Sequence, residues 1–106
     1  MPNKNYLAGR RLEWQRKKHY ENMGYTVLRS AGSHGPFDLT VIDPGGSVIL
    51  IQLKRVKDAA TASRLCREFE KNPPLLLGDY TQVLEVYIPR VGIFPAYVGE
   101  RQKEPF

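Results

Sequence analysis

The sequence predicts one α/β domain over residues 1–106: a helix, a meander of three strands, a second helix, and one or two further strands. Hydrophobic residues make up 42% and charged residues 25% of the chain, as in ordinary globular proteins. A chain of 106 residues is long enough for one hydrophobic core and too short for two domains. Segments with helical spacing also alternate with β-branched segments that are separated by glycine and proline, which predicts the order of elements.

The first helix is predicted from about Tyr6 to Met23, because this segment contains no proline and Gly24 follows as a stop signal. Helical spacing predicts a narrow packing face on this helix, made of Ala8, Leu12, Arg16, His19 and Met23. Residues Tyr25 to Arg29 are rich in β-branched and aromatic side chains, and we expect a short strand there.

Two further strands and a tight turn are predicted next. Small residues, glycine and proline dominate Ser30 to Pro36, which indicates a loop. A strand over Phe37 to Ile42 then ends at the turn signal Asp43-Pro44-Gly45-Gly46. Ser47 to Lys54 forms the third strand of the meander, and its nearly continuous apolar run predicts burial on both faces.

The second helix is predicted to begin after Asp58, a favourable N-cap residue, and to run to about Lys71. Its inward face is predicted to carry Leu65, Cys66 and Phe69. The sequence Asn72-Pro73-Pro74 ends the helix, because proline cannot continue it.

The C-terminal part of the sequence predicts a fourth strand and, after it, a segment that proline interrupts. Thr81 to Ile88 alternates apolar and polar residues, which is typical of a strand. Val91 to Val98 contains Pro95, so we expect an edge strand there. This apolar stretch fits either the last core strand or part of a two-fold interface. We expect a frayed tail over Gly99 to Phe106.

The positive charge is concentrated at the N-terminus. The chain has 16 basic and 11 acidic residues, for a net charge of +5. Residues 1–20 hold six basic residues against the single acid Glu13, whereas residues 21–106 hold ten of each. Such asymmetry favours a polyanionic partner such as nucleic acid, although a solvated basic helix that keeps the protein soluble would look the same.

Several classes of protein are excluded by simple features. Cys66 is the only cysteine, so an intrachain disulfide framework is impossible. The longest apolar runs are far too short to span a membrane, and the N-terminal segment has no apolar signal region. We therefore expect a cytoplasmic protein without a membrane partner.

One constellation of polar residues suggests chemistry. Asp38 lies at the start of one predicted strand, and Gln52 and Lys54 lie near the end of the next. Antiparallel pairing through the Asp43–Gly46 turn would place these ends side by side, with Gln52 and Lys54 on the same face. Carboxylate and amide oxygens suit Mg²⁺ or Mn²⁺, which would activate a water for attack on a phosphodiester.

This pattern resembles the PD-(D/E)xK nuclease superfamily, and more narrowly the archaeal-type Holliday-junction resolvases. The narrower resemblance depends on residues in the family's order and at similar spacing: Gly9, Glu13, Gly24-Tyr25, Arg29, Gly32-Ser33, Asp38 and Gln52-Leu53-Lys54. It covers about Gly9 to Lys57. It implies a restriction-endonuclease-like core with a mixed sheet, and a Mg²⁺-dependent endonuclease of DNA repair and recombination. The expected substrate is a branched, four-way DNA junction, cut by a homodimer.

The resemblance also implies roles for individual residues at the metal site. Asp38 matches the central metal-binding acid, and Gln52 occupies the place of the second acid. The backbone carbonyl of Leu53 would be a further metal ligand. Glu13 matches the acid of the first helix, which contributes through water.

Catalytic and DNA-binding roles follow in the same way. Lys54 matches the lysine that positions the attacking water and steadies the pentavalent phosphate. Ser33 matches a loop serine implicated in catalysis. Basic residues are assigned to DNA phosphates: Arg10, Arg11 and Arg29 on the resemblance, and Arg16, Lys17 and Arg55 beside them.

Two positions depart from the family pattern. Phe37 replaces the proline before the acid, which is a structural change. Gln52 replaces glutamate, so the site has one negative charge fewer and should bind metal more weakly. Two alternatives therefore stay open: another nuclease of the superfamily that cuts flaps, nicks or a specific sequence, and a DNA-binding module without catalysis. Glu13 could also simply pair with Lys17 one helical turn away.

Overall fold

The computed structural model describes residues 4–29, 36–74 and 80–99. Its elements in chain order are α1 (Lys4–Asn22), β1 (Thr26–Arg29), β2 (Leu39–Ile42), β3 (Val48–Arg55), α2 (Ala59–Lys71), β4 (Tyr80–Ile88) and β5 (Gly92–Val98). The predicted loop from Ser30 to residue 35 and the predicted frayed tail from residue 100 lie outside the described residues. The predicted order of helices and strands is confirmed.

The five strands form one mixed sheet in the order β1-β2-β3-β4-β5. β1, β2 and β3 are antiparallel neighbours, which confirms the predicted meander. β3 and β4 pair in parallel, and β4 and β5 are antiparallel. A parallel pair needs a long crossover, which α2 provides. β3 therefore lies at the centre of the sheet with its C-terminal end beside the start of β2.

The two helices cover opposite faces of the sheet. On one face, alternate strand residues pack against Tyr20 of α1 and form one cluster with it: Val27, Leu39, Val41, Ile49, Ile51 and Val83. The other face packs against α2 in a second cluster: Ala62, Phe69, Leu84, Val86, Ile88, Ala96 and Val98. Because side chains alternate along a strand, neighbouring residues of β3 belong to different layers.

The packing face of α1 differs from the predicted one. Leu12 and Tyr20 are buried, as expected for residues two turns apart, and the half-buried Arg16 lies between them. The prediction was wrong for His19, which is exposed, and for Met23, which is 42% exposed. Apolarity alone favoured Met23 over Tyr20, but the tyrosine hydroxyl finds a buried partner and its ring then fills the core.

Burial along the central strands also differs from the prediction. Ile49 and Ile51 of β3 are fully buried, whereas Val48 and Leu50 on the other face are only half-buried. β3 is therefore not buried on both faces, because the described part of α2 covers mainly β4 and β5. β4 is the strand that is buried almost throughout, with the polar side chains Thr81, Gln82 and Glu85 inside.

The predictions for α2 and the C-terminal strand are largely confirmed. Asp58 caps α2 through a hydrogen bond that its carboxylate accepts from the Thr61 N–H at 2.8 Å. β5 is an edge strand that contains Pro95, opposite Glu85. Of the apolar C-terminal stretch, Ala96 and Val98 belong to the core, whereas Val91 and Phe94 are exposed. No helix in the described ranges is both long and apolar enough to cross a membrane.

Candidate active site

The β2–β3 hairpin aligns the candidate residues through its turn. The Asp43 N–H donates to the Ser47 carbonyl at 3.0 Å, and the Ser47 N–H donates to the Asp43 carboxylate at 3.0 Å. These bonds close the turn and set a register in which Leu39 lies opposite Ile51. Asp38, which precedes Leu39, therefore lies beside the end of β3 that carries the Gln52-Leu53-Lys54 motif.

Asp38 is held to β3 by two hydrogen bonds. Its backbone N–H donates to the Ile51 carbonyl at 2.8 Å, and its Oδ2 accepts from the Leu53 N–H at 2.7 Å. The short carboxylate bond is charge-assisted, which makes it stronger than a neutral one. The carboxylate is therefore fixed at the middle residue of the Gln52-Leu53-Lys54 motif.

Gln52 and Lys54 lie on the face of the sheet that α2 covers, and Leu53 packs on the opposite face with the α1 cluster. Both polar side chains line a cleft of about 440 Å³ between β3 and the C-terminal end of α2. The parallel partner of Gln52 is Leu84, which forms part of the same lining. The predicted alternation along the motif is confirmed, and it leaves the amide and the ammonium accessible.

The sequence did not reveal that α2 contributes polar groups to this cleft. Glu68 and Asn72, one turn apart, line it together with the buried Phe69. Glu68 also accepts a hydrogen bond from the Arg64 guanidinium at 3.3 Å. The signal that could have found them is their position one and two turns beyond the inward-facing Leu65, beside the same face of the helix.

The donor set fits a hard divalent cation that keeps several waters. Within residues 4–29, 36–74 and 80–99, no group of three or more His, Cys, Asp or Glu side chains is close enough to hold a metal ion. The Asp38 carboxylate and the Gln52 amide would supply the side-chain oxygens, and Mg²⁺ commonly uses only one or two protein ligands. The Leu53 carbonyl stays a predicted ligand.

Glu13 lies on the other side of the sheet from the cleft. It belongs to α1, and its carboxylate accepts a hydrogen bond from the Arg29 guanidinium at 3.2 Å. Lys17 pairs instead with Glu21 at 2.8 Å, so the alternative pairing of Glu13 with Lys17 is wrong. The role of Glu13 at the metal site, through water, stays a prediction. Ser33 lies outside the described residues.

A buried ionic network fixes α1 at the level of the motif. Both oxygens of Glu85 accept bonds from the Arg16 guanidinium, at 2.8 and 3.0 Å. The Tyr20 hydroxyl donates a third bond to Glu85, which is only 3% exposed. Because Glu85 of β4 lies beside Leu53 of β3, this anchor positions α1 next to the candidate site. Sequence analysis missed it, since Glu85 looked like an ordinary strand polar residue.

The network changes the acidity of its members. Burial, and then the negative charge of Glu85, raises the pKa of Tyr20 well above its ordinary value of 10.0. Burial by itself would lower the pKa of Arg16, but the hydrogen bonds and charge of Glu85 outweigh it and raise that pKa. Arg16 and Tyr20 therefore keep their protons, and both continue to donate hydrogen bonds to Glu85.

The predicted DNA-binding residues separate into three environments. Arg10, Arg11 and Arg29 line a common cavity of about 380 Å³ together with Trp14, which the prediction did not include. Lys17 lies on the same helix beside Glu21, and Arg55 is exposed at the end of β3. Arg16 is engaged by Glu85, so a phosphate contact from Arg16 would have to compete with that carboxylate; it stays a prediction.

Comparison with known proteins finds similarity in structure rather than in sequence. No protein-family model matches the chain, and no curated protein sequence matches it. Among solved structures, Hjc of Archaeoglobus fulgidus, a Holliday junction resolvase from an archaeal hyperthermophile, is similar with a TM-score of 0.57 and 16% identity. The match covers 84% of this chain and 71% of that one. The chain therefore has a mixed α/β fold similar to that of an archaeal Holliday junction resolvase, as the sequence predicted.

Proposed function

We propose that this protein is a metal-dependent DNA endonuclease that cleaves four-way junctions. The observation that carries the proposal is the position of Asp38, which is bonded to Leu53 between the side chains of Gln52 and Lys54. The carboxylate is thus held at the motif by the Leu53 N–H, and the amide of Gln52 and the ammonium of Lys54 line an open cleft. The similarity in fold to a Holliday junction resolvase supports the choice of substrate.

The proposed chemistry is hydrolysis of a phosphodiester by an activated water. Asp38 and Gln52 would hold the metal, with the Leu53 carbonyl as a further ligand. When bound, Mg²⁺ or Mn²⁺ neutralises phosphate charge and lowers the pKa of a coordinated water. Lys54 orients the attacking water and stabilises the negative charge that develops on the phosphate. Glu13 would assist from the α1 side through water.

Gln52 makes this a weakened metal site. An amide oxygen still binds a hard cation, but it brings no negative charge, so metal affinity should be lower than with glutamate. This substitution also defines the second candidate function, a DNA-binding module without catalysis. The exposed Lys54 in the cleft, next to the residue that binds the Asp38 carboxylate, favours catalysis, because a silent module has no need of this pair.

The basic residues near the site suit a DNA backbone. Arg10, Arg11 and Arg29 meet at one cavity, and Arg55 extends from the end of the motif strand. Arg29 lies opposite Leu39, directly beside Asp38. A phosphate backbone that contacts these arginines would therefore pass the candidate site, and binding should weaken as salt rises.

We further propose that two copies act together. Symmetric cuts in a four-way junction need two active sites related by a two-fold axis. The exposed Val91 and Phe94 at the β5 edge support a contact between copies there. A protein that cuts junctions as a monomer would contradict this part of the proposal.

The test is cleavage of an end-labelled four-way junction beside a linear duplex of the same sequence. It should be run with Mg²⁺, with Mn²⁺ and with EDTA, for the parent protein and for Asp38→Ala. Glu70→Gln is the matched control, because Glu70 is an exposed α2 carboxylate outside the lining of the cleft.

Each outcome selects a different function. Paired symmetric cuts in the junction alone, lost with EDTA and with Asp38→Ala but kept by Glu70→Gln, would support a junction resolvase. Cuts in both DNAs would indicate another nuclease of the same chemistry. Binding without any cut would overturn the catalytic proposal in favour of a DNA-binding module.

A further inference from the structure

Trp14 is the single tryptophan of the chain, and it is 54% exposed on the solvent side of α1. Leu12 and Tyr20 attach this helix to the sheet, so Trp14 is not needed for that contact. An indole is large and mostly apolar, and leaving half of it in water costs hydrophobic free energy. The charged side chains around the indole indicate which kind of ligand would cover it.

Positive charge surrounds the indole on both sides along the helix. The ammonium groups of Lys17 and Lys18 lie 5.6 and 5.3 Å from the centre of the Trp14 ring, on its C-terminal side. On its N-terminal side, the ring lines the cavity that Arg10 and Arg11 share with it. Five cationic side chains, including Arg29, thus lie around one exposed aromatic surface.

Two carboxylates pair with cations of this surface, Glu13 and Glu21. Glu13 accepts a hydrogen bond from Arg29 at 3.2 Å, which reduces its repulsion of an approaching anion. Lys17 is likewise paired with Glu21, whereas Lys18 is exposed. The surface therefore presents a planar aromatic ring within a positively charged border.

We propose that Trp14 is a stacking platform for an unpaired base of DNA, with the surrounding arginines and Lys18 on the flanking phosphates. A nucleotide combines a flat aromatic ring with a negative charge, and it matches both properties of this surface. The inference rests on the proposed function in so far as the ligand is DNA. It adds that the protein binds a strand whose bases are not all paired.

The position of the platform relates it to the candidate active site. Arg29, in the cavity beside Trp14, ends β1 opposite Leu39 of β2, one residue from Asp38. A strand stacked on Trp14 would thus leave the platform close to the edge where Asp38 lies. The unpaired base would sit near the point of cleavage rather than at a remote anchor.

A second copy of the chain is a poorer occupant of this surface. In a two-fold contact the same patch meets itself, so the arginines and lysines of both copies would face each other. Their mutual repulsion would oppose such a contact. Charge complementarity therefore favours an anionic ligand over self-association here.

The single tryptophan makes the proposal directly measurable. Fluorescence of Trp14 is followed as single-stranded oligo(dT), or a blunt hairpin duplex, is added in EDTA, where no metal-dependent cut can occur. We expect stronger quenching by the single strand than by the duplex at equal nucleotide concentration. Glu70→Gln should quench like the parent protein, because Glu70 is an exposed α2 carboxylate on the other face of the sheet from the platform.

Variants at the ring separate stacking from charge. In anisotropy titrations with labelled oligo(dT), Trp14→Ala should weaken binding about 5- to 100-fold, while Trp14→Phe should keep most of the affinity. Met23→Ala is the matched control for loss of exposed apolar surface, since Met23 is 42% exposed just beyond the C-terminal end of α1. It should bind like the parent protein.

Two results would overturn the proposal. One is the absence of quenching together with unchanged binding by Trp14→Ala, which would make the indole a solvated partner of its lysines. The other is a blue shift that grows with protein concentration without DNA and disappears in dilute solution, which would assign the ring to a contact between copies. If the protein does not cleave the junction but Trp14 is still quenched by single-stranded DNA, the nuclease proposal fails and the stacking proposal stands.

Discussion

The Oδ2 of Asp38 accepts a hydrogen bond from the backbone N–H of Leu53 at 2.7 Å, although 15 positions separate the two residues in sequence. This bond joins the acid that precedes β2 to the middle of the motif on β3. Lys54 and Gln52, on either side of Leu53, then lie at fixed positions relative to the carboxylate. The Asp38, Gln52 and Lys54 part of the candidate site is thus positioned by one hairpin.

Asp38→Asn should abolish catalysis while keeping the fold. The amide oxygen of asparagine can still accept the bond from Leu53, but the negative charge for the metal is lost. Because even outer-shell ligands often change metal affinity 10- to 100-fold, we expect junction cleavage to fall by about 100-fold or more. Calorimetric titration with Mn²⁺ should show the matching loss of affinity. Cleavage close to that of the parent protein would contradict the role of Asp38.

Gln52→Glu should lower the metal concentration needed for activity. A carboxylate adds one negative charge to the donor set, and metal affinity rises with the charge of the ligands. We expect half-maximal cleavage at about tenfold less Mg²⁺ than in the parent protein. Gln52→Ala should shift the requirement the other way. An unchanged metal titration in both variants would show that Gln52 is not a ligand.

Glu13→Gln should affect cleavage less than Asp38→Asn does. Glu13 lies on the α1 side of the sheet and pairs with Arg29, and we expect it to act through water rather than as a direct ligand. We expect a loss of less than about tenfold in rate. The free energy of unfolding should change by less than about 1 kcal/mol, because the pair is partly exposed. A loss as large as that of Asp38→Asn would show that Glu13 binds the metal directly.

Glu85→Ala should be strongly destabilising. The substitution leaves the half-buried guanidinium of Arg16 and the buried hydroxyl of Tyr20 without the carboxylate that accepts their hydrogen bonds. Breaking such a pair from one side costs about 3–5 kcal/mol, and we expect the lower end because Arg16 keeps some contact with solvent. Urea unfolding measures the loss.

Two variants calibrate that measurement. Tyr20→Phe removes one of the three bonds to Glu85 and should cost about 1–2 kcal/mol. Glu68→Ala breaks an exposed pair with Arg64 and should cost less than about 0.5 kcal/mol. Equal effects of Glu68→Ala and Glu85→Ala would show that the buried network does not anchor α1.

Acid should weaken α2 through its N-cap. The hydrogen bond from the Thr61 N–H lowers the pKa of Asp58 below its ordinary value of 3.8. A depressed carboxylate pKa adds stability above the unfolded value, and this stability is lost as pH falls through the folded value. Urea midpoints measured below pH 4 should therefore fall more steeply for the parent than for Asp58→Asn, whose amide caps without titrating. Parallel pH profiles would contradict this.

Local patterns were sufficient to predict the elements and the core of the site. The Asp43-Pro44-Gly45-Gly46 turn fixes which residues of β2 and β3 face each other, so Asp38 could be placed beside the Gln52-Leu53-Lys54 motif from sequence alone. Strand alternation then places Gln52 and Lys54 on one face and Leu53 on the other. Both effects act over a few residues, which is why the sequence determines them.

Contacts between distant elements were decided only by the tertiary structure. The burial of Tyr20 and Arg16 depends on Glu85, which is more than 60 positions away, and no helical periodicity encodes that partner. The same holds for Glu68 in the cleft and for Trp14 beside Arg29. The sequence does not show whether a polar or aromatic side chain is solvated or paired. Its environment is created only when the helices pack on the sheet.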